Sequence, residues 1–463
     1  MGCGGSKQAG VVAVADGKSN DAQHKSRRSI SSAVKAVRNS LGFNGAQNIV
    51  RQQLRKCDAF EEFTEKEFNM LLPFLERVEL PRYKIIVNEG DLGDRMYILV
   101  EGEAVVTAKD KHDFTLEMKT IGSGDVFGEI SLFFDNHVQG TTVSTLTKCV
   151  FYSLDKVALE KFRTSESSGA KKLEKRASER EMMSQTLNHI KAFGSLTPKS
   201  RYVLLDLCTM HKYKVNRVIV KEGSQGRGSF YMITSGFVDV IVGGKVVRTL
   251  GPRQYFGDVA VVGNKPHSAT VRVSENGPCV LLEVDKEGFF HVMNGEIGVL
   301  AEFNLRYHGV DASLEDIIHH SIGRSYLAKY TAKEFAKENI DFWREVDSLE
   351  AIERSTVRKR VLKSVGIDPD MIIEKKVTVL KRRARRIYLR YLADTADAQI
   401  NVAGTVSQEV KRRIEEEDFS FDMFAEAKQE VFELIQSDSF PRFQESEEFE
   451  QLLKSVRAYK LNH

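Results

Sequence analysis

A stretch beginning at Arg82, RYKIIVNEGDLGDRMYILVEG, is laid out again from Val218 as VIVKEGSQGRGSFYMITSGFVDVIV, and this duplication constrains the fold more than any other feature. In the first copy, short apolar runs (Ile85 to Val87, Tyr97 to Val100) are separated by turn residues, Glu89-Gly90-Asp91 and Glu101-Gly102. Runs of that length between glycine and acid turns read as strands joined by tight connections. Each copy then reaches a Phe-Gly-acid segment, FGEISLFF at Phe127 and FGDVAVVG at Phe256, and the two glycines stand 129 positions apart. That period is too long for a solenoid, so the sequence predicts a duplicated domain of short strands, best read as a small barrel.

The whole chain, at 463 residues, has room for about three domains. No apolar run approaches the ~18 residues of a membrane span and no secretory pattern opens the chain, which sets the expectation of a cytosolic protein. Cys3, Cys57, Cys149, Cys208 and Cys279 are scattered, without CxxC pairs or histidine clusters at ligand spacing. Neither a disulfide nor a structural metal is expected, nor any cofactor beyond a bound ligand. A formal charge of +3 gives no reason to expect nucleic acid. Its distribution is uneven: ten Lys and Arg residues from Lys7 to Lys56 stand against Asp16 and Asp21 alone, which makes residues 1–57 a basic, flexible arm.

That arm opens MGCGGSK, which fits the pattern for N-myristoylation at Gly2, with Ser6 in the required place. One myristoyl chain binds a membrane only marginally. Palmitoylation of Cys3 and attraction of the basic arm to anionic inner-leaflet lipid are candidate second signals, placing the protein at the cytoplasmic face of a membrane. Within the arm, KSRRSISS (Lys25 to Ser32) also suits a basophilic kinase, with Arg28 three before Ser31.

Between the repeats, Val157 to Ala192 is rich in Lys, Glu and Arg and reads as a helical connector. After Leu300 the pattern becomes helical throughout. In YLAKYTAKEFAKENIDFWREV, residues Leu327, Tyr330, Phe335, Phe342, Trp343 and Val346 form an apolar face, and FSFDMFAEAKQEVFELI behaves likewise. Polar residues stand at the helix ends: Asn339 within the first stripe, Asn401 after IYLRYLADTADAQI, and DSFPRF from Asp438 to Phe443. Asp438 or Ser439 can cap the following helix, with Pro441 in its first turn. A longer stretch from Ser348 to Arg386 carries VRKRVLK and KRRARR, read as a solvated basic face or a membrane-facing one.

Both repeats resemble cyclic nucleotide-binding domains, over about Asp58 to Glu160 and Ile190 to Met293. That family has an EGD turn, which stands here as Glu89-Gly90-Asp91 and Glu222-Gly223-Ser224, a hairpin ending in glycine and a phosphate-binding loop like the two Phe-Gly-acid segments. The resemblance implies ligand-binding sets of Gly128, Glu129, Ile130, Ser131, Val138, Gln139 and Thr141 in the first copy, and Gly257, Asp258, Val259, Ala260, His267 and Ser268 in the second. In that family the loop acid takes the ribose 2′-hydroxyl and an arginine takes the phosphate. The arginine's place falls here on Val138 or Gln139, and on His267. Loss of one partner of a buried charge pair costs about 2 to 5 kcal/mol. A histidine of unperturbed pKa would be about a quarter protonated at pH 7, so the second site is expected to bind anions better in acid. Three readings stay open: structural loops, sites for a neutral or differently charged nucleoside-like ligand, or sites that still take cAMP or cGMP through backbone donors and His267.

The C-terminal third resembles the regulator of G-protein signalling (RGS) domain over about Ser313 to Leu453, through EF..EN..FW, IY..Y......IN and DS(Y)PRF in order. The resemblance implies acceleration of GTP hydrolysis on a Gα subunit, contacted by Asn339, Asn401, Asp438, Ser439 and Arg442. Phe440 replaces the usual tyrosine, and Ala403 and Gly404 replace a frequent polar pair.

The expected architecture is multidomain α+β, two small β-barrels followed by an all-α bundle. Its boundaries are a tail at 1–57, barrels at 58–172 and 173–300 (the latter with the connector), and the bundle at 312–458. No catalytic motif of its own is seen. The alternatives are a protein like the regulatory subunits of cyclic-nucleotide-dependent kinases, with Arg27-Arg28-Ser29-Ile30 as inhibitor segment, and a scaffold that binds Gα without accelerating turnover.

Overall fold

Eight strands make barrel A: β1 (Glu76–Leu80), β2 (Ile85–Val87), β3 (Arg95–Glu101), β4 (Ala104–Lys109), β5 (Thr115–Ile121), β6 (Val126–Phe127), β7 (Thr142–Thr145) and β8 (Cys149–Asp155). Eight more make barrel B: β9 (Thr209–Tyr213), β10 (Val218–Val220), β11 (Ser229–Ser235), β12 (Val238–Val242), β13 (Lys245–Leu250), β14 (Tyr255–Phe256), β15 (Thr270–Val273) and β16 (Cys279–Asp285). This computed structural model describes residues 50–461 apart from 110–113, 166–167, 226–227, 264 and 355–356. Gly2, Cys3 and most of the basic arm therefore lie outside the described residues. Barrel A pairs its strands as β1-β8-β3-β6 and β2-β7-β4-β5, and barrel B repeats that order as β9-β16-β11-β14 and β10-β15-β12-β13. The duplication is thus one of topology as well as of motif.

Residues 50–57 belong with barrel A rather than with the tail. Val50, Leu54 and Cys57 are buried in its helical cluster, against Phe60 and Phe68. Helix α1 (Glu65–Leu71) starts on a capping box between Thr64 and Glu67. In β4, inward Ala104, Val106 and Ala108 join one cluster with Val143 and Phe151. Outward Val105 and Thr107 are buried too, because another part of the chain covers that face.

The remaining helices are α2 (Glu129–Phe133), α3 (Lys156–Arg163), α4 (Gly169–His189), α5 (Pro198–Leu207), α6 (Asp258–Gly263), α7 (Lys286–Met293) and α8 (Ile297–His308) around the barrels. The C-terminal bundle follows with α9 (Leu314–His319), α10 (Ser321–Lys333), α11 (Lys337–Arg354), α12 (Lys359–Ser364), α13 (Pro369–Tyr391), α14 (Gly404–Glu415), α15 (Ala425–Leu434), α16 (Phe440–Gln444) and α17 (Glu447–Leu461). Its core gathers Leu327, Phe342, Trp343, Tyr391, Phe424 and Phe443. Phe335 departs from the expected apolar face. It sits in the turn between α10 and α11 with φ +57° and is 92% exposed.

The basic stretch VRKRVLK keeps Arg358, Lys359, Arg360 and Lys363 exposed, but its apolar residues are buried against barrel A. Val361 is wholly buried with Val105 and Leu146 of barrel A, and Ser364 shares a buried 2.7 Å hydrogen bond with Ser144. Arg358 pairs with Glu117 and donates to Thr120 at 2.8 Å. In KRRARR, Lys381 and Arg385 hold Glu417, and Arg386 holds Glu345. These are surface pairs, and Arg382, Arg385 and Arg386 remain exposed.

Candidate functional site

Each barrel builds its loop around a glycine no other residue could replace without strain. Gly128 (φ +81°) and Gly257 (φ +92°) are left-handed, and an added Cβ would lie 2.6 Å from Arg95 O or 2.2 Å from Ser229 O. The chain can then turn sharply into α2 or α6, with Glu129 or Asp258 as the first helical residue. Across from it, the second half of the loop is zipped to the EGD-type turn by backbone bonds. Gly90 N–H donates to Gln139 O (2.8 Å) and Gln139 N–H to Asp91 O (2.9 Å) in barrel A. Gly223 N–H donates to His267 O (2.8 Å) and His267 N–H to Ser224 O (3.1 Å) in barrel B.

The two sites differ in what meets their key residues. In barrel A, Glu129 faces Arg180 of α4 at 3.4 Å, and Arg180 also donates to Asp206 of α5 at 2.7 Å. The connector thus ties the acid of loop A to the helix that opens barrel B. Gln139 folds back to donate to the buried Ser131 hydroxyl at 2.8 Å, while Val138 is 53% exposed. Ile130 and Thr141 are half-buried beside them.

In barrel B, Gly257, Asp258, Val259, Ala260, His267 and Ser268 all border one cavity of about 620 Å³. Burial lowers the His267 pKa, so at neutral pH it carries less charge than a free histidine. The three readings of this loop stay open, and any gain in anion binding from a protonated His267 is moved further into acid. Arg306 of α8 also borders the cavity, a residue the loop motif could not reveal because it lies 39 positions beyond His267.

The bundle brings two polar segments together. Arg442 donates to both oxygens of Glu334 (3.0 and 3.1 Å) and both of Asp438 (2.7 and 2.9 Å). It holds both carboxyls below their ordinary pKa range and clamps the α10–α11 turn to the α15–α16 junction. Arg442 is therefore engaged within the fold while its side chain stays half exposed. The expected cap by Asp438 or Ser439 does not form. Residues Ile435–Ser439 make a π-helical turn and α16 has no side-chain cap. Ser439 is buried, and Asn401 is exposed on the loop before α14. Asn339 is 7% exposed, and its Oδ1 is buried without a hydrogen-bond partner among the described residues. Beside it in sequence, Glu334 and Phe335 open the EF..EN..FW motif, but neither was named as a contact residue and Phe335 was read into the apolar face. A large aromatic held at positive φ in solvent is their signal.

Comparison with known families decides the assignment. The model of the cyclic nucleotide-binding domain matches residues 77–166 and 210–296, and that of the Regulator of G protein signaling domain matches 313–452. The chain joins two cyclic nucleotide-binding domains to an RGS domain. Similar curated proteins include cAMP-dependent protein kinase regulatory subunits. That of Debaryomyces hansenii is 29% identical over 46% of this chain and 44% of its own length, and that of Yarrowia lipolytica 29% over 52% and 60%. The chain spans about half the length of the curated relatives it matches. Among solved structures, cAMP-bound PfPKA-R (141–441) is 24% identical, covering 58% of this chain and 91% of that one at a TM-score of 0.38. The RGS match begins at Ser313, the N-cap of α9, and only the short turn Gly309–Asp311 and Ala312 separate it from α8.

Proposed function

We propose that the chain is a membrane-associated regulator that accelerates GTP hydrolysis on a Gα subunit, tuned by a nucleotide or nucleoside in its barrels. One observation supports this most: Asn339 keeps a buried, unpartnered Oδ1 next to the exposed Phe335. An orphaned buried acceptor costs about 1 to 3 kcal/mol, and such groups persist where a partner supplies the missing bond. In this reading Phe335, Asn339, Asn401, Asp438, Ser439 and Arg442 meet the mobile segments of Gα, and Arg442 also clamps the α10–α11 turn to the α15–α16 junction. A Gα subunit carries its own catalytic arginine, so stabilising the segments around the attacking water is enough. Acylation at Gly2 and Cys3, with the basic arm, would keep the chain beside its lipid-anchored target.

Single-turnover GTP hydrolysis by a Gα subunit tests the proposal. The wild-type chain accelerates it, and Asn339→Ala lowers the acceleration about tenfold or more. Gα binding without acceleration would support the scaffold instead. A second reading, a kinase regulatory subunit, is favoured by the relatives matched over the barrels. Capture of a kinase catalytic subunit that is lost in Arg27→Ala plus Arg28→Ala would support it.

A further inference from the structure

Lys265, the permanent cation of loop B, is exposed and does not line the cavity, whereas Lys191, Arg248, Arg253 and, from α8, Arg306 do. Arg306 borders the same space as Gly257, Asp258 and His267, with its side chain 4% exposed. Its guanidinium donates to the Tyr255 hydroxyl, two residues before Gly257, and to Glu302 on its own helix. Helix α8 lies directly against the loop helix, since a Cβ added at Gly263 would fall 2.3 Å from the Tyr307 ring. The other Glu302 oxygen is bonded to Nε2 of His320. The Gly323 N–H donates to Nδ1 of that same buried ring at 3.1 Å, capping α10 of the RGS domain. With Nδ1 accepting, Nε2 carries the hydrogen and donates to Glu302. A continuous set of bonds thus runs from the cavity through Arg306, Glu302 and His320 to the first turn of α10.

We propose that Arg306, from outside the loop, holds the anionic group of the ligand in barrel B, and that its engagement is passed to the RGS domain through Glu302 and His320. This rests on reading barrel B as a nucleotide site and deepens that reading. An anion that takes donors from Arg306 competes with Glu302 for them. Glu302 must then shift its weight to His320, the group that fixes where α10 begins. Apolar Val240 and Leu250 on the cavity wall suit a base, and Asp258 suits a ribose hydroxyl.

Calorimetry on the full chain with cAMP and with adenosine tests the first half, because the two probes share base and sugar. Here cAMP binds about tenfold or more tightly than adenosine, and Arg306→Gln removes that advantage while adenosine affinity stays within about twofold. The double variant Arg306→Gln plus Glu302→Gln leaves no lone buried charge and gives the same result if Arg306→Gln alone misfolds. Equal loss for both probes, no loss for cAMP, or no binding of either overturns the assignment. For the second half, the only tryptophan, Trp343, lies in the RGS core with its ring 5.0 Å from that of His319. Its emission changes when cAMP binds the wild type and stays constant in His320→Asn, which still binds cAMP. An unchanged wild-type signal, or a response that survives His320→Asn, overturns the relay. Neither readout needs Gα, so failure to accelerate GTP hydrolysis would count against the proposed function alone.

Discussion

Asn339 separates stability from activity within one side chain. Its Oδ1 is buried and has no hydrogen-bond partner among the described residues, so Asn339→Ala removes an unsatisfied acceptor and is expected to leave the melting temperature unchanged or slightly higher while Gα acceleration falls. Thermal unfolding measured beside single-turnover hydrolysis checks both signs. His267 behaves differently. Burial lowers its pKa, so below the ordinary histidine range the unfolded chain binds the proton more readily than the folded one, and stability falls as pH falls through that range. Urea midpoints from pH 7.5 to 5.5 should decline less in His267→Gln than in the wild type. At this scale the sequence was only partly legible. Gly128 and Gly257 were readable because a left-handed turn demands glycine. Phe335 was misread because periodicity cannot tell a core phenylalanine from one turned outward at positive φ.

Among elements, α4 carries more than a linker would. At one end Lys172 and Ser168 bond Glu67 of α1, and in the middle Arg180 bridges Glu129 and Asp206. Burial alone would raise the Glu67 pKa, but bonds from Lys172, Ser168 and Thr64 prevail and bring it to about 2. A depressed carboxylate stabilises the fold above its unfolded pKa, and that contribution is lost as pH falls through the folded value. The Glu67 share, on the order of 2 kcal/mol, should therefore disappear between about pH 4.5 and pH 2. Glu67→Gln would lower stability at pH 7 and flatten its acid decline, as followed by urea titration at several pH values. The helical character of the connector was evident from its charge pattern. Its partners were not, since ion pairs across 51 positions, as between Glu129 and Arg180, leave no local trace.

At the scale of the molecule, the RGS domain is seated on barrel A as well as joined to barrel B. Strand β7 leaves the loop at Thr142, and Ser144, two residues on, bonds Ser364 at the end of α12. Val361→Asp would place a charge in a wholly buried seam. The expected outcome is release of the bundle from barrel A with each domain still folded, seen as a larger radius of gyration in X-ray scattering and an unchanged near-ultraviolet spectrum of Trp343. A rise in global unfolding instead would mean that the seam is needed for either domain to stand. The order of two small barrels and a helical bundle was legible because repeat and period are sequence properties, whereas the strand order within each barrel was not. The seam was not, because VRKRVLK reads as a charged surface until Val361 is seen to face Val105 and Leu146.

Ser144 and Ser364 are 220 positions apart. At about 5 to 20 residues per second of synthesis, barrel A waits roughly ten to forty seconds with its outer face bare before α12 can reach it. During that interval Val105 and Leu146 are open to other chains, and a ribosome that stalls in the RGS segment leaves them so.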